Sequence, residues 1–360
     1  METAGDAWLI DQFFVIHISI GLFTLCFNIF TAVIVLTQRG HLSKEYSGLL
    51  AASVICGTLT DVFMNFLFHP FPVFLSHVLE DDPNHPFTCI TSHGILGRTF
   101  QVPVRPQMIV YTFLVGMNVC PVAACIVYRH QIVQGADSKF RLPNYLVRMN
   151  WFVPALLVLP ICLSMVFRTS VSLDAERAAA SMLPSYADTV MCFGVMDGPL
   201  IVSIIQFNII YYLITGSLFV GHTFYTLAQN SSELNVKSRE YHRRLTVVLL
   251  AQIGAPVVFI AVPMMLLSVP VVIMGILSNV LMLICFELAS LHSTVHCLVT
   301  LLLIPHYRAH CWYLLHGCRS PVAPFQTVNP RGHAILAKLR AVKGLNGFGQ
   351  EPENDDRNAS

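Results

Sequence analysis

Charge is scarce in this chain. Of its 360 residues only 11% are Asp, Glu, Lys or Arg, against about 25% in an average soluble domain. In contrast, 55% are hydrophobic and the mean hydropathy is +0.64. Such a composition excludes a water-soluble globular protein. A net charge of +1 offers no basic excess for a nucleic-acid partner. The short sequences of common enzyme chemistry are missing too: there is no HExxH, GxSxG, P-loop or GxGxxG sequence and no CxxC pair. No hydrolase, nucleotide or zinc signature therefore supports an enzyme, and no cofactor is implied. Nor is a removable signal peptide evident. Met1–Gln12 is acidic, and the first apolar run, Phe13–Thr37, is longer than a signal h-region, so it is expected to stay as a helix.

What the sequence does have is long apolar runs. A bilayer core about 30 Å thick takes about 20 apolar helical residues, and seven runs fit: 13–37, 46–75, 106–128, 149–167, 198–227, 245–267 and 279–304. The expected fold is all-α, a seven-transmembrane helix bundle over 13–304, with a short tail at 1–12 and a longer one at 305–360. The lipid bilayer is its first partner. Lys and Arg are retained on the cytoplasmic side, and 17 of the 21 fall in the loops 38–45, 129–148 and 228–244 and in the tail 305–360. The other face holds Arg98, Arg105, Arg168 and Arg177. The amino terminus is thus expected outside and the carboxyl tail inside the cell. In that tail Ile335, Leu336, Leu339 and Val342 share a helical face beside Lys338, Arg340 and Lys343, as in a membrane-surface helix. The acidic stretch Glu351–Asp356 reads as disordered.

Prolines inside these runs (Pro70, Pro72, Pro121, Pro154, Pro160, Pro256 and Pro263) are tolerated in a bundle as kinks. Those of the sixth span, Pro256 and Pro263, mark the likeliest-to-move helix from the sequence alone. No internal repeat is present, and with an odd number of spans this weighs against an inverted-repeat transporter.

Polar residues within the spans are the candidates for function. Asp61 and Glu287 are costly in lipid and must face the bundle interior, a cavity or a polar partner. For Asp61 two readings stand: an interior polar network with Asn65 one turn away, or a structural hydrogen bond. Glu287 suits a ligand cation or a neighbouring helix equally. His292 and His296 share a face of the seventh span at a metal-holding spacing, but packing and interhelical hydrogen bonds are the favoured account, so no metal is expected.

Of eleven cysteines, Cys89 and Cys192 lie on the oxidising side, where a disulfide between them is one reading. Cys311 and Cys318 follow the last span, where palmitoylation or free thiols are both open. Arg129 follows the third span, Tyr307 and Arg308 follow the seventh, and Arg243 and Arg244 begin the sixth. They either meet a cytoplasmic partner or anchor helix ends at the headgroups.

Three groups of residues stand in order along the chain: Tyr46, Leu49-Leu50, Asp61, Pro70 and Pro72; Gly94-Ile95-Leu96-Gly97 with Val102-Pro103 and Gln107; and Leu250-Ala251-Gln252-Ile253 with Pro256 and Pro263. In these, and across roughly residues 12–315, the chain resembles the nematode serpentine chemoreceptors of class h and its relatives. Two motifs depart from the family. Val127-Tyr128-Arg129 stands where members carry a Glu-Asn-Arg type of sequence, and Pro305-His306-Tyr307-Arg308 has one residue inserted into Pro-Tyr-Arg. The rhodopsin-class Asp-Arg-Tyr and Asn-Pro-x-x-Tyr signatures are absent. The resemblance implies a chemosensory receptor in the plasma or ciliary membrane of a sensory cell. It would take a small-molecule ligand between its outer helix halves and signal to a heterotrimeric G protein. A seven-span ligand-gated channel or transporter, with Asp61, Glu287, His292 and His296 along an ion path, is the alternative, as is a relative that no longer signals.

The expected topology has a simple consequence. Both Asn-x-Ser sequons, at Asn230 and Asn358, would face the cytoplasm, so endoglycosidase treatment of the expressed chain should leave its mobility unchanged; a shift abolished by Asn230→Gln or Asn358→Gln would overturn the orientation.

Overall fold

The computed structural model describes residues 4–38, 43–74, 88–134, 138, 140–149, 153–167, 190–193, 197–229, 236–266 and 279–316. Within these, seven long helices form a bundle: α1 (Ala4–Thr37), α2 (Lys44–Val62), α3 (Val104–Val133), α4 (Val153–Phe167), α5 (Asp197–Gln229), α6 (Val236–Pro256) and α7 (Asn279–Leu303). A shorter helix, α8 (Pro305–His316), follows. Helix α3 packs on α2, α4 and α5, α1 packs on α2 and α7, and α6 packs on α7. Six helical stretches are long and apolar enough to cross a membrane: Gln12–Thr37, Lys44–Phe68, Val104–Val133, Ser203–Gln229, Glu240–Leu266 and Leu283–Leu303. The seventh, α4, has 15 described residues. Contacts divide the chain into Met1–Cys311, which holds the bundle, and Trp312–Ser360. Of the latter only the helical stretch Trp312–His316 is described, with Trp312, Tyr313 and Leu314 exposed.

Several hydroxyl residues inside these apolar helices are satisfied by their own backbone. Thr31 donates to the Phe27 carbonyl, Thr58 to Val54, Thr60 to Cys56 and Thr223 to Phe219, each one turn back. A hydroxyl bonded in this way is compatible with lipid.

Several boundaries differ from those read in the sequence. Helix α1 begins at Ala4, nine residues before the first apolar run. Helix α3 extends to Val133, so Arg129 lies on the helix instead of beyond it. The largest correction concerns the second span, expected over 46–75. Helix α2 runs into a π-helical turn, Phe63–Phe68, and stops at His69, whose φ of 44° is left-handed and cannot continue a helix. Pro70 and Pro72 therefore kink no helix; they belong to strand β1 (Pro70–Phe74). Hydropathy alone cannot separate an apolar strand from the end of an apolar helix. Proline is accepted there because β1 lies at the edge of its sheet, where a missing N–H leaves no ladder gap. The expected all-α class thus acquires a small sheet. Pro256 stands at the junction with a second π-helical turn, Val257–Ala261, and Pro263 falls one turn further along. A proline removes an i→i−4 bond, and the wider π turn absorbs the loss.

The sheet caps one end of the bundle. Strand β2 (Thr88–Ser92) pairs antiparallel with both β1 and β3 (Val190–Phe193), in the order β1-β2-β3. Opposite each other in the β2–β3 ladder stand Cys89 and Cys192, joined by a disulfide. Beyond β2, Gly94 and Gly97 let the chain press onto the helix end. A Cβ on Gly94 would come within 2.3 Å of the Leu67 carbonyl oxygen, and one on Gly97 within 2.4 Å of that of Ser92. Gln107 of α3 closes this corner, accepting from Ser92 and donating to the Val102 carbonyl.

The disulfide joins residues 103 apart in sequence, and a cross-link over so long a loop is worth about 2–4 kcal/mol. Cys89→Ser and Cys192→Ser should each lower the midpoint of thermal unfolding in detergent by the same amount, and the double variant should lose nothing more. Unequal losses, or a further loss in the double variant, would show that the thiols act separately.

Candidate functional site

One face of α7 carries Glu287, Ser290, Ser293, His296 and Thr300, three or four residues apart and therefore stacked along the helix. All but the partly buried Glu287 are buried. Each meets a polar side chain from another helix, so the face becomes a seam running the length of the bundle. Nearest the sheet, Glu287 Oε1 is 2.8 Å from Nδ1 of His17 on α1. One turn on, Ser290 donates to Oδ1 of Asn65 at the end of α2. At mid-bundle Ser293 donates to Asp61 Oδ2, and Asn28 of α1 donates to the same oxygen at 2.9 Å. His296 Nε2 meets Ser53 of α2 at 3.0 Å, and Thr300 accepts from Gln252 of α6 at 2.7 Å. His292, beside this line, faces Asn118 of α3 at 2.9 Å.

The seam is sterically tight. Gly21 on α1 faces Asn65, where an added Cβ would lie 2.7 Å from the asparagine Cβ. Gly57 faces Ser293, at 3.3 Å from an added Cβ. Small residues at such positions let the helix backbones approach closely enough for short side chains to bond across.

Toward the sheet the seam opens into an aromatic and histidine cluster. The His17 and His69 rings are 4.4 Å apart, Phe13 stacks on His17, and Phe13 and Phe71 meet edge to face. His17, His69, Phe13 and Phe71 are all buried. His17 Nε2, His69 Nδ1 and Glu287 Oε2 are buried without a hydrogen-bond partner among the described residues. Arg98 lies over the Phe14 ring at 4.6 Å. Burial, reinforced by Arg98, pushes the His93 imidazole down to about 4, so it is neutral at pH 7.

At the opposite end the packing is dry. Ile34, Leu50, Ala124, Leu249, Ile304 and their neighbours form the largest apolar cluster, and Tyr46 and Tyr307 are fully buried in it. Arg129, 4% exposed, reaches into this cluster with its guanidinium 4.0 Å from the centre of the Tyr46 ring. Tyr128 stacks on the same tyrosine and hydrogen-bonds Ser43.

These placements revise several sequence expectations. Asp61 and Asn65 do belong to one polar seam, but their direct partners come from α1 and α7, and the two do not bond each other. Glu287 meets a neighbouring helix. His292 and His296 are each tied to a polar side chain, and no group of three or more His, Cys, Asp or Glu among the described residues is placed to hold a metal ion. Arg129 and Tyr307 are buried in this arrangement, so neither is presented to a partner; the cation–π contact and the apolar cluster hold them in. Arg308, Arg243 and Arg244 are exposed, and Arg244 pairs with Glu240 one turn back. Cys311 packs against the apolar cluster, half-buried. Cys318 and the tail beyond it lie outside the described residues. Asn28, His17, Ser293 and Tyr46 were not singled out as site residues from the sequence. The polar spacing along α7 was a legible signal, but nothing in α1 marked which of its polar residues would face it.

Seven apolar helices closed around a polar seam and capped by a disulfide-linked sheet define a multi-pass integral membrane protein of the seven-helix receptor kind. The chain belongs to the serpentine type 7TM GPCR chemoreceptor family Sri, whose model matches residues 7–311. The serpentine reading thus holds at the level of the type, while class h gains no support from this match. No curated protein matches the chain. Among solved structures it is similar to squid rhodopsin, at 11% identity and a TM-score of 0.49, with 85% of this chain and 88% of that chain covered.

Removing the central acid tests the seam. Asp61→Ala strands the Ser293 hydroxyl and removes one of the two bonds of the Asn28 amide, which also reaches Ser293 Oγ at 3.0 Å, and should cost about 1–3 kcal/mol, whereas Asp61→Asn keeps an acceptor and should cost less. Thermal inactivation of the purified variants would show this ordering, and equal stability of all three proteins would mean the seam contributes nothing.

Proposed function

We propose that this protein is a chemosensory receptor that binds a small chemical cue at the sheet-capped end and passes the signal to a heterotrimeric G protein at the Arg129 end. In this reading the amino terminus and the sheet are outside the cell. The observation that carries the proposal is the burial of Arg129 against Tyr46. A lone cation inside an apolar cluster is costly, and it is tolerable where the same group becomes solvent- or partner-facing in a second arrangement.

The family's usual acid before this arginine is replaced here by Val127. The Tyr46 ring serves instead as the restraint, and Tyr307 walls the same cluster. A ligand that binds the open arrangement more tightly than the closed one shifts the population by no more than that difference in affinity. The seam on α7 is the physical link between the two ends. Its sheet end offers unpaired polar atoms of His17, His69 and Glu287 beside Phe13 and Phe71, which is the chemistry of a small-molecule pocket. The helix of Pro256 and Pro263 carries Gln252 onto Thr300, so movement of its end bearing Arg243 and Arg244 is coupled to α7.

A desolvated cation–π contact is worth about 2 kcal/mol, and one or two kcal/mol changes a population about 5- to 30-fold. Tyr46→Leu should therefore raise ligand-independent nucleotide exchange on a co-reconstituted G protein several-fold, with Tyr46→Phe near the native level. Arg129→Ala should abolish exchange in response to a ligand panel. Exchange unaltered in Tyr46→Leu, at normal surface expression, would remove the restraint; membrane current without any exchange would replace the receptor by a channel.

A further inference from the structure

Four side chains that the receptor reading leaves unused meet between α3 and α5, next to Arg129. His130 lies in the last turn of α3 and Gln134 is the residue that caps its end, while His222 and Thr226 lie one turn apart on α5, and the two pairs face each other across the helix contact. His130 Nε2 is 3.0 Å from His222 Nδ1. Gln134 Nε2 is 3.3 Å from the first nitrogen, 3.0 Å from the second, and 3.2 Å from Thr226 Oγ1. His130, Gln134 and Thr226 are buried and His222 is half-buried. Phe219 packs edge-on to His130, Phe140 covers His222 at 4.6 Å, and Ser138 donates to Gln134 Oε1 at 2.7 Å.

Three nitrogens at the corners of one small triangle cannot all be matched by protons. The amide nitrogen only donates, so both ring nitrogens would have to accept from it, and then neither could donate to the other. At least one edge of the triangle is always wrong. Turning the Gln134 amide over removes the conflict with the donor: Oε1 takes the corner, Nε2 donates to Ser138, and the Thr226 hydroxyl, which donates to the His222 carbonyl at 2.9 Å, turns its proton to Oε1. The triangle then consists of two imidazole nitrogens and one carbonyl oxygen, all with lone pairs to share. Its edges of 3.0–3.3 Å compare with about 3.3 Å between ligands of a tetrahedral ion bound at about 2.0 Å. Gln131 Nε2 stands 3.3 Å from His130 Nδ1; with this amide turned over as well, its Oε1 accepts from Nδ1–H and leaves Nε2 unprotonated, as the outer partner of a metal-bound imidazole does.

We propose that His130, His222 and Gln134 form a site for a divalent transition-metal ion of the zinc class, with water as the fourth ligand. Two imidazoles select zinc, cobalt, nickel or copper over calcium and magnesium, which prefer sets of oxygen ligands. The third donor is an amide, which is why no cluster of three His, Cys, Asp or Glu marks the place. A bound ion ties α3 to α5 beside Arg129 and favours the arrangement in which that arginine is buried. Binding itself is independent of whether the chain couples to a G protein.

The test is a Co²⁺ titration of the purified full chain in lipid nanodiscs, followed by visible absorption and by Zn²⁺ displacement. A saturable tetrahedral spectrum at one ion per chain is expected, with affinity reduced at least about tenfold in His222→Ala. His222→Cys should keep the ion and add a thiolate-to-cobalt band in the near ultraviolet. That band decides the matter even if His222→Ala does not yield monodisperse protein. No saturable spectrum, an affinity unchanged in His222→Ala, or a cysteine variant that binds cobalt without the new band would each overturn the site.

Discussion

In an apolar bundle a polar side chain has little water to fall back on, so it is stabilised by its own backbone or by a polar side chain of another helix, and the second kind of bond organises the protein. On α7 the residues Glu287, Ser290, Ser293, His296 and Thr300 lie on one face, and the helices around it supply their partners: His17 and Asn28 from α1, Asn65, Asp61 and Ser53 from α2, Gln252 from α6. Apolar packing brings these helices together, but it does not choose their rotation, since lipid is as good a neighbour for leucine as another leucine. Hydrogen bonds between short side chains do choose it. The small residues Gly21 and Gly57 are the counterpart of that choice, because longer side chains there would hold the partners out of reach.

The two ends of the seam differ in a way that suits different tasks. At the sheet, rings and imidazoles gather around Glu287, with several buried polar atoms unpaired among the described residues. At the other end, tight apolar packing surrounds the Arg129 guanidinium. Val127, two residues before Arg129, offers no charge, and the guanidinium lies instead over the face of Tyr46, whose quadrupole attracts it. Tyr307, in the first turn of α8, which begins at Pro305, is fully buried beside Tyr46 in the same cluster.

Where the sequence reading of the fold went astray, the cause was local. Pro70-Phe71-Pro72 is as apolar as the helix before it, so hydropathy ran on through the stop at His69 and missed an edge strand. The π-helical turns Phe63–Phe68 and Val257–Ala261 have no sequence signature apart from the neighbouring Pro256. Arg129 looked like a residue beyond a span because it is charged; the helix continues through it, and its burial depends on a tyrosine 83 positions earlier in the sequence.

Sequence by itself determined that this chain lives in a bilayer, that it crosses it seven times, and that Asp61, Asn65 and Glu287 are polar residues the interior must accommodate. Those follow from composition and from the length of each apolar run, which are properties of single segments. Only the tertiary structure decided who accommodates them. The pairing of Glu287 with His17, of Asp61 with Asn28 and Ser293, of Arg129 with Tyr46, and of His130 with His222 depends on the rotation and depth of each helix against its neighbours. No segment records that information alone, because a membrane helix satisfies its own backbone and is free to turn until its side chains meet others.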